Sequence, residues 1–521
     1  MDDIREEIVL KFLKADLQVH YDVVMWLAEK NDPSLADEVI KNVPPNAPVA
    51  LPSHIPGWKQ KGFEPAIPRL REPSKTQGSA PDETPDHHEA DGTRFTSPAE
   101  IEVLYGKPFE HKSGVDFTDF IYYFKDRYEK LSKMLRGRGD PMPISALTQT
   151  VRYRQQTITI IGMISEVRNT AKGHRIAVLE DPTDTINVLF YNPQAASNNN
   201  YTNKDPEREK KKQEVFSEAE RIIPDEVVMV KGTLSNEGTI IFADELHRPD
   251  IPLQNSPYKS KKPGKAVLIS DVHVGSNTFL SEQWERFSEW ISQSDVNYLL
   301  IAGDVVDGIG IYPDQDKELT IPNIYAQYEV FAQMLSKLPK HITIVVSPGN
   351  HDAIRGSEPQ PGLTENFTEH FPENAYIVEN PAMVDLQGVR VLMYHGRSYD
   401  DLISMIPGAS YTEPEKMMVE MLKRRHLACT YGMRTPILAA KEDKLIIEPI
   451  PEILHTGHVH ICGVEKYRGV LCINAGTWQS QTSFQKQMNV QPTPAQAYMV
   501  DLETLEYKLL DFNEETVRTI E

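Results

Sequence analysis

Residues 298–304 read YLLIAGD and residues 343–352 read TIVVSPGNHD. Each is an unbroken apolar run that stops at a glycine and at once delivers an acid, an amide or an imidazole. Short runs of this kind, without polar alternation, are the signature of strands covered on both faces. The pattern recurs upstream as KAVLISDVH (265–273) and downstream as VRVLMYHG (389–396) and ILHTGHVH (453–460). Helical stretches such as SEQWERFSEWISQS (281–294) lie between some of them. Buried strands alternating with helices, and reactive side chains at strand ends, predict a layered α/β domain over residues 256–521.

Upstream the pattern changes. TITIIGMISEVR (157–168), HRIAVLEDPTDTINVLFY (174–191), EVVMVKGTLS (226–235) and GTIIFADELHR (238–248) are short strands separated by turn signals. They predict a five-stranded OB-type barrel, with 192–214 as a long loop or partly helical insertion. A helix over 116–136, DFTDFIYYFKDRYEKLSKMLR, leads into it, with Phe117, Phe120, Ile121, Phe124, Tyr128, Leu131 and Leu135 read as one face, so that helix and barrel together span 116–255. Residues 44–115 are rich in proline and polar side chains and predict a disordered linker, in which His87 and His88 are solvated. Residues 1–43 predict a small helical domain, from the spacing of Ile8, Phe12, Leu17, Val23, Val24 and Leu27 and from Asp32-Pro33 as a helix start.

The bulk numbers set limits. A chain of 521 residues is too long for one core. It has no run near the ~20 apolar residues of a membrane span, and its acidic N-terminus lacks an export pattern, so a cytoplasmic protein with no membrane partner is expected. Three cysteines, Cys429, Cys462 and Cys472, suit a reducing compartment and read as core. The net charge of −21 is not that of a self-sufficient DNA binder, so bound cations or a partner subunit would have to attract a polyanion.

The strand-end residues share one chemistry. Phosphodiester hydrolysis requires an activated water and charge stabilisation on the phosphoryl oxygens, and two divalent ions roughly 3.5–4 Å apart supply both. Asp304 is the natural bridging carboxylate. Asp271 and His273, alternating on an extended segment, are expected to reach one ion, while His458 and His460 can each serve a different one. Mixed imidazole and carboxylate donors suit manganese, zinc or iron better than magnesium. His351 is placed to protonate a departing 3′ oxygen. Taken singly, Asp271 or Asp304 reads as a helix cap and His395 as a core histidine. His455 reads as a satisfied core residue, Asp307 and Asp352 as supporting residues, and Asp400 and Asp401 as solvated. Lys423, Arg424 and Arg425 are the densest basic cluster of the insertion after His395, read as a solvated helix face with phosphate guidance as the alternative.

The five motifs Asp271-Val-His273, Gly303-Asp304, Gly349-Asn350-His351-Asp352, Tyr394-His395-Gly396 and Gly457-His458-Val459-His460 resemble the calcineurin-like metallophosphoesterase superfamily, nearest its nuclease branch. The order of linker, OB-type module and phosphoesterase domain resembles the small-subunit family of archaeal D-family DNA polymerases. The resemblance implies a four-layer α/β fold. It assigns Asp271, His273, Asp304 and His460 to a first ion, and Asp304, Asn350, His395 and His458 to a second. It makes His351 the catalytic acid, with manganese the leading candidate metal. Asp307 stands where the nuclease branch has a further histidine. The resemblance also implies a 3′→5′ exonuclease acting on single-stranded or mismatched DNA ends, with a large catalytic polymerase subunit as partner and a sliding clamp or primase as further candidates. Two other readings remain open at this point: a scaffolding subunit with a vestigial metal site, and a stand-alone phosphoesterase.

Overall fold

The computed structural model describes residues 8, 10–12, 14, 15, 17–19, 21–30, 34–43, 49, 50, 55, 100–107, 117–148, 151–196, 206–312, 314–487 and 489–520. At the N-terminus, β1 (Gln18–Val19), α1 (Tyr21–Lys30), α2 (Leu35–Asn42) and β2 (Val49–Ala50) surround a core that includes Phe12, Val23, Leu27 and Val39. The apolar spacing of the first 43 residues is therefore buried where it is described, but the unit is not purely helical. β1 and β2 pair in parallel, and β2 falls inside the stretch expected to be linker. Asp32, Pro33, His87 and His88 lie outside the described residues.

A second correction to the linker is β3 (Ile101–Tyr105), which pairs antiparallel with a strand almost 300 positions later and forms the edge of a sheet. Its period-2 pattern, IEVLY, is hidden by the proline-rich composition around it. Helix α3 (Phe117–Leu135) is present as expected, rotated from the predicted face. Tyr123, Arg127, Leu131 and Leu135 form its buried spine, while Ile121 is 55% exposed. The i, i+4 spacing holds; an arginine in the spine is what the apolar count overlooked.

The next five strands, β4 (Thr157–Asn169), β5 (Arg175–Glu180), β6 (Thr185–Phe190), β7 (Val227–Leu234) and β8 (Ile240–His247), close into a barrel of order β4-β5-β6-β8-β7. β6 and β8 run parallel and the other neighbours antiparallel. Helix α4 (Pro206–Glu220) bridges β6 and β7, so the polar insertion is helical in its second half.

The C-terminal part is two facing sheets. β9 (Lys265–Ile269), β10 (Tyr298–Ala302), β11 (Thr343–Ser347) and β12 (Ala375–Ile377) lie parallel in the order β12-β11-β10-β9. That sheet continues through β18 (Gln496–Asp501), β19 (Tyr507–Asp511) and β20 (Arg518–Ile520). The second sheet has the order β16-β17-β15-β14-β13-β3, from β13 (Ala382–Leu386), β14 (Val389–Met393), β15 (Ile453–Thr456), β16 (Gly463–Tyr467) and β17 (Val470–Asn474). Leu268, Leu300 and Val345 of one sheet pack on Val391, Met393 and Ile453 of the other. The outer face of the first, through Val267, Leu299 and Ile344, is covered by α5 (Ser281–Ser292) and α6 (Ile324–Ser336). The outer face of the second, through Leu392 and Leu454, is covered by α7 (Tyr399–Met405) and α8 (Pro414–Arg424). The central strands β10 and β11 are buried along their whole length, which is why their sequences, YLLIA and TIVVS, are almost continuously apolar. Among the described residues no helix is long and apolar enough to cross a membrane.

The basic cluster of α8 is neither solvated nor free for phosphate. Arg424 is buried, bonds Glu420, and brings its Nε 3.0 Å from Glu226 of the barrel side. Arg425 is buried and donates to the Ile447 carbonyl, and Lys423 bonds Glu420. Arg221 reaches the same Glu420 at 2.8 Å, and Arg248 holds Glu226 at 3.0 Å. Beside them Arg127 of α3 donates to Asp443 at 2.7 Å, and Asp443 also meets His426 at 2.8 Å. Charges taken out of water on both sides of the joint are satisfied by one another, so barrel and sheets are fixed together by groups that tolerate no gap.

Removing one partner of a fully buried pair leaves an uncompensated charge and costs about 3–5 kcal/mol. Asp443→Ala is therefore expected to lower the thermal midpoint of unfolding by several degrees in calorimetry. An unchanged midpoint would show that the pair does not hold the joint.

Candidate metal centre

Asp271 follows β9, Asp304 follows β10, Asn350 and His351 follow β11, His395 follows β14 and His458 follows β15, so all sit beyond the carboxyl ends of parallel strands. Ligand sites of α/β sheets gather there because the chain must turn and the loops are free to carry polar groups. The two sheets bring these ends together. Asp271, His273 and His460 form one group able to hold a metal ion, and Asp304, His395 and His458 form another.

The backbone differs from the extended geometry expected of D-x-H and H-x-H. Asp271 and His273 both have φ 53°, Asp304 has 52°, His458 has 70° and His460 has 61°. All five are in the left-handed region, where non-glycine residues are uncommon. β9 has already ended at Ile269, and β15 at Thr456. The paired side chains therefore share a direction through turns rather than through strand alternation. Two glycines make room for this crowding. A methyl on Gly349 would stand 2.3 Å from Asp304 Oδ1, and one on Gly457 would stand 2.4 Å from Asp271 Oδ2.

Hydrogen bonds fix which ring nitrogen each histidine offers. His273 Nδ1 meets Asp307 Oδ1 at 3.1 Å, so it donates there and leaves the Nε2 lone pair free. His395 Nδ1 donates to the Ala302 carbonyl at 2.9 Å. His460 differs: its Nδ1 accepts from the Gln485 side-chain amide at 2.8 Å, which puts the proton of the neutral ring on Nε2, toward Asp271. His351 Nδ1 donates to the Asp307 carbonyl at 2.8 Å. The Nε2 atoms of His273, His395 and His460 then meet at the centre. His273 Nε2 is 3.1 Å from His460 Nε2 and 3.9 Å from Asp304 Oδ2. His395 Nε2 is 3.1 Å from Asp304 Oδ2 and 3.1 Å from Asn350 Oδ1. Asp304 Oδ2 thus faces a histidine of each group, while its Oδ1 accepts the His351 amide at 2.8 Å.

Electrostatics point the same way. Asp271 Oδ2 accepts from Ser270 and from the His458 amide, but its Oδ1 is buried without a hydrogen-bond partner, 3.3 Å from His460 Nε2. A buried carboxylate oxygen left bare is costly unless a cation meets it. Burial disfavours ionising Asp271, yet the charge of His460 and the closeness of the His273 and His460 rings hold it well below the usual carboxylate range. Burial also opposes charge on His273, but the nearby Asp271 carboxylate, its bond to Asp307 and the charge of Asp304 outweigh it and raise the ring to about 10. His395 rises to about 9 against the same burial, drawn by the charge of Asp304 and its bond to it. Each group therefore calls for positive charge, and its oxygen and imidazole donors fit a divalent ion.

The remaining candidates separate. His351 stands edge-on to His273, with ring centroids 4.7 Å apart, and burial lowers its pKa. Asp352 is buried and accepts from the Gly349 amide and the Tyr328 hydroxyl; burial and the neighbouring charge of Asp304 raise it to about 7. His455 is buried as expected, but neither ring nitrogen has a hydrogen-bond partner, and burial pushes its pKa down to about 3. Cys429 and Cys472 are buried, Cys462 is partly so, and all three are free.

Several functional neighbours escaped the sequence. Gln479 and Gln315 donate to the Asp307 carboxylate at 2.9 and 3.0 Å, holding it as an acceptor for His273. Gln485 sits in a short helix, Ser483–Gln487, that carries no motif. Asp400 and Asp401 are not solvated loop residues. Asp401 is buried and accepts the amides of Arg434 and Thr435, and Asp400 faces His458 Nε2 at 3.5 Å. Only Asp307 had a signal, its place three residues after Asp304.

A family model for the B-type subunit of DNA polymerases alpha and epsilon matches residues 266–460, the span from β9 to the last of these histidines. A protein named DNA polymerase II small subunit from Archaeoglobus fulgidus is 43% identical over 72% of this chain and 73% of its own length. Proteins of the same name are 39% identical in Halobacterium salinarum, over 84% of this chain and 83% of that one, and 35% identical in Methanothermobacter thermautotrophicus, over 97% of this chain and 100% of that one. Among solved structures, vacuolar protein sorting 29 from Cryptosporidium parvum covers 50% of this chain and 96% of its own, at 16% identity and a TM-score of 0.28. With more than a third of the residues shared along nearly its whole length with such a relative, the chain belongs to the family of archaeal DNA polymerase II small subunits.

Proposed function

We propose that this subunit is itself a nuclease, a metal-dependent 3′→5′ exonuclease that hydrolyses DNA phosphodiesters beside the large catalytic subunit of its polymerase. The observation that carries the reading is the bare, buried Asp271 Oδ1, 3.3 Å from His460 Nε2 and beside His273, whose Nδ1 is already committed to Asp307. Asp271, His273 and His460 would hold one divalent ion; Asn350, His395 and His458 would hold a second; Asp304 would serve both. Manganese, zinc or iron suits this mixed donor set better than magnesium, and the family resemblance puts manganese first. When bound, such a pair supplies Lewis acidity toward the phosphoryl oxygens and lowers the pKa of water.

The chain's own residues do the rest. Asp304 Oδ1 fixes the His351 amide, and the Asp307 carbonyl fixes His351 Nδ1, which leaves Nε2 as the atom that can carry a proton to a departing 3′ oxygen. The direction of hydrolysis, and single-stranded or mismatched 3′ ends as substrate, rest on the family resemblance. The barrel, over 116–255, is read as OB-type. Support comes from the strand order β4-β5-β6-β8-β7, the parallel β6–β8 pair and the helix between β6 and β7. Its burial against α8 suits a docking platform within the assembly as well as a strand-binding surface.

A 3′-labelled single strand should be shortened stepwise by the purified chain in manganese. His351→Ala should slow this at least ~100-fold while leaving ion binding intact, as loss of a general acid does. A variant as fast as the parent protein would remove His351 from the chemistry. Gly349→Ala should lower the number of ions bound, because its methyl meets the Asp304 carboxylate. Unchanged binding of two ions by that variant would contradict the role given to Asp304.

A further inference from the structure

His458 is tied off differently from the other histidines of the centre. For His273, His395 and His460 the outer partner takes Nδ1. For His458 the neighbour is Asp400, whose Oδ2 lies 3.5 Å from Nε2. Asp400 is not a free surface acid. Its Oδ1 accepts the Tyr411 hydroxyl at 2.8 Å, and its side chain is 30% exposed. The residues on either side of it are anchored too. Tyr399 bonds the Thr456 hydroxyl at 2.7 Å, at the end of the strand that delivers His458. Asp401 accepts two backbone amides at 2.8 and 3.0 Å, from Arg434 and Thr435. Tyr399 and Asp400 at the start of α7 therefore tie the insertion after His395 to the end of β15 and the loop bearing His458, while Asp401 anchors the helix start within the insertion.

We infer that Asp400 is a positioning residue for His458: it accepts the Nε2 proton and so presents the Nδ1 lone pair to an ion shared with Asp304 and His395. The inference rests on the two-ion reading above. A neutral imidazole has one donor nitrogen and one acceptor nitrogen, and a carboxylate that accepts from one of them decides which remains for the metal. The helical insertion is then more than a cover for the site, because it supplies the group that sets the tautomer of one ligand. Tyr411 acts one step further out, holding the carboxylate in place.

The test is calorimetric titration of the full chain with manganese, together with electron paramagnetic resonance of the loaded protein. The parent protein should take up two ions and show the spin-coupled signal of a pair. Asp400→Asn should weaken one of the two ions about 10–100-fold, the usual cost of losing an outer partner, and lose the coupled signal at limiting manganese. Tyr411→Phe, which leaves the carboxylate in place, should show a smaller loss, and Asp400→Glu should restore part of the affinity. If Asp400→Asn and Tyr411→Phe both bind two ions as tightly as the parent, the role of Asp400 is overturned while the two-ion reading stands. If the parent protein itself takes up no pair of ions, the reading beneath the inference falls, and the inference with it.

Discussion

Everything at the centre depends on bringing imidazoles and carboxylates from separate strands into contact without water. Five of the side chains that meet there stand on left-handed backbone: Asp271, His273, Asp304, His458 and His460. Such a conformation costs about 1–3 kcal/mol at each non-glycine residue. It persists only where the surroundings over-determine it, and here they do. Backbone hydrogen bonds run from the Asp271 amide to the Gly303 carbonyl and from the His273 amide to the Asp304 carbonyl, tying the turns after β9 and β10 to each other. The strain sits on top of two sheets whose central strands are buried on both faces, and that large apolar interior offsets it.

The same constraint explains how closely the polar side chains crowd. His273 and His460 present nitrogens to each other at 3.1 Å, and His395 presents one to two oxygens at the same distance. In a low-dielectric interior such groupings are unfavourable unless positive charge lies among them. The raised pKa values of His273 and His395, one in each group, are the protein's response to that demand. Two divalent ions would satisfy it without protonating the ligands.

Much of this could be read from the chain alone, and the limits are physical. Strand-end motifs were legible because a buried strand must be continuously apolar and must stop at the residue that does chemistry. Asp304, His395 and the GHVH pair followed directly from that. The outer partners were not legible. Gln479 reaches Asp307 across 172 residues, and a glutamine in a loop carries no sign of what it will meet. Arg424 reads as part of a solvated basic face, and Arg127 falls outside an apolar count, because charge predicts exposure unless the partner is known; Asp443 lies far from Arg127 in sequence, and Glu226 far from Arg424. β3 was hidden by its neighbours' composition, and Asp400 by lying beside a second aspartate with a purely structural task.

The most direct measurement is anomalous diffraction at the manganese edge from crystals grown with that ion. Two peaks roughly 3.5–4 Å apart are predicted, one against Asp271, His273 and His460, the other against Asn350, His395 and His458, with the Asp304 carboxylate touching both. A single peak, or density only at surface acids with these side chains facing one another unfilled, would contradict the account.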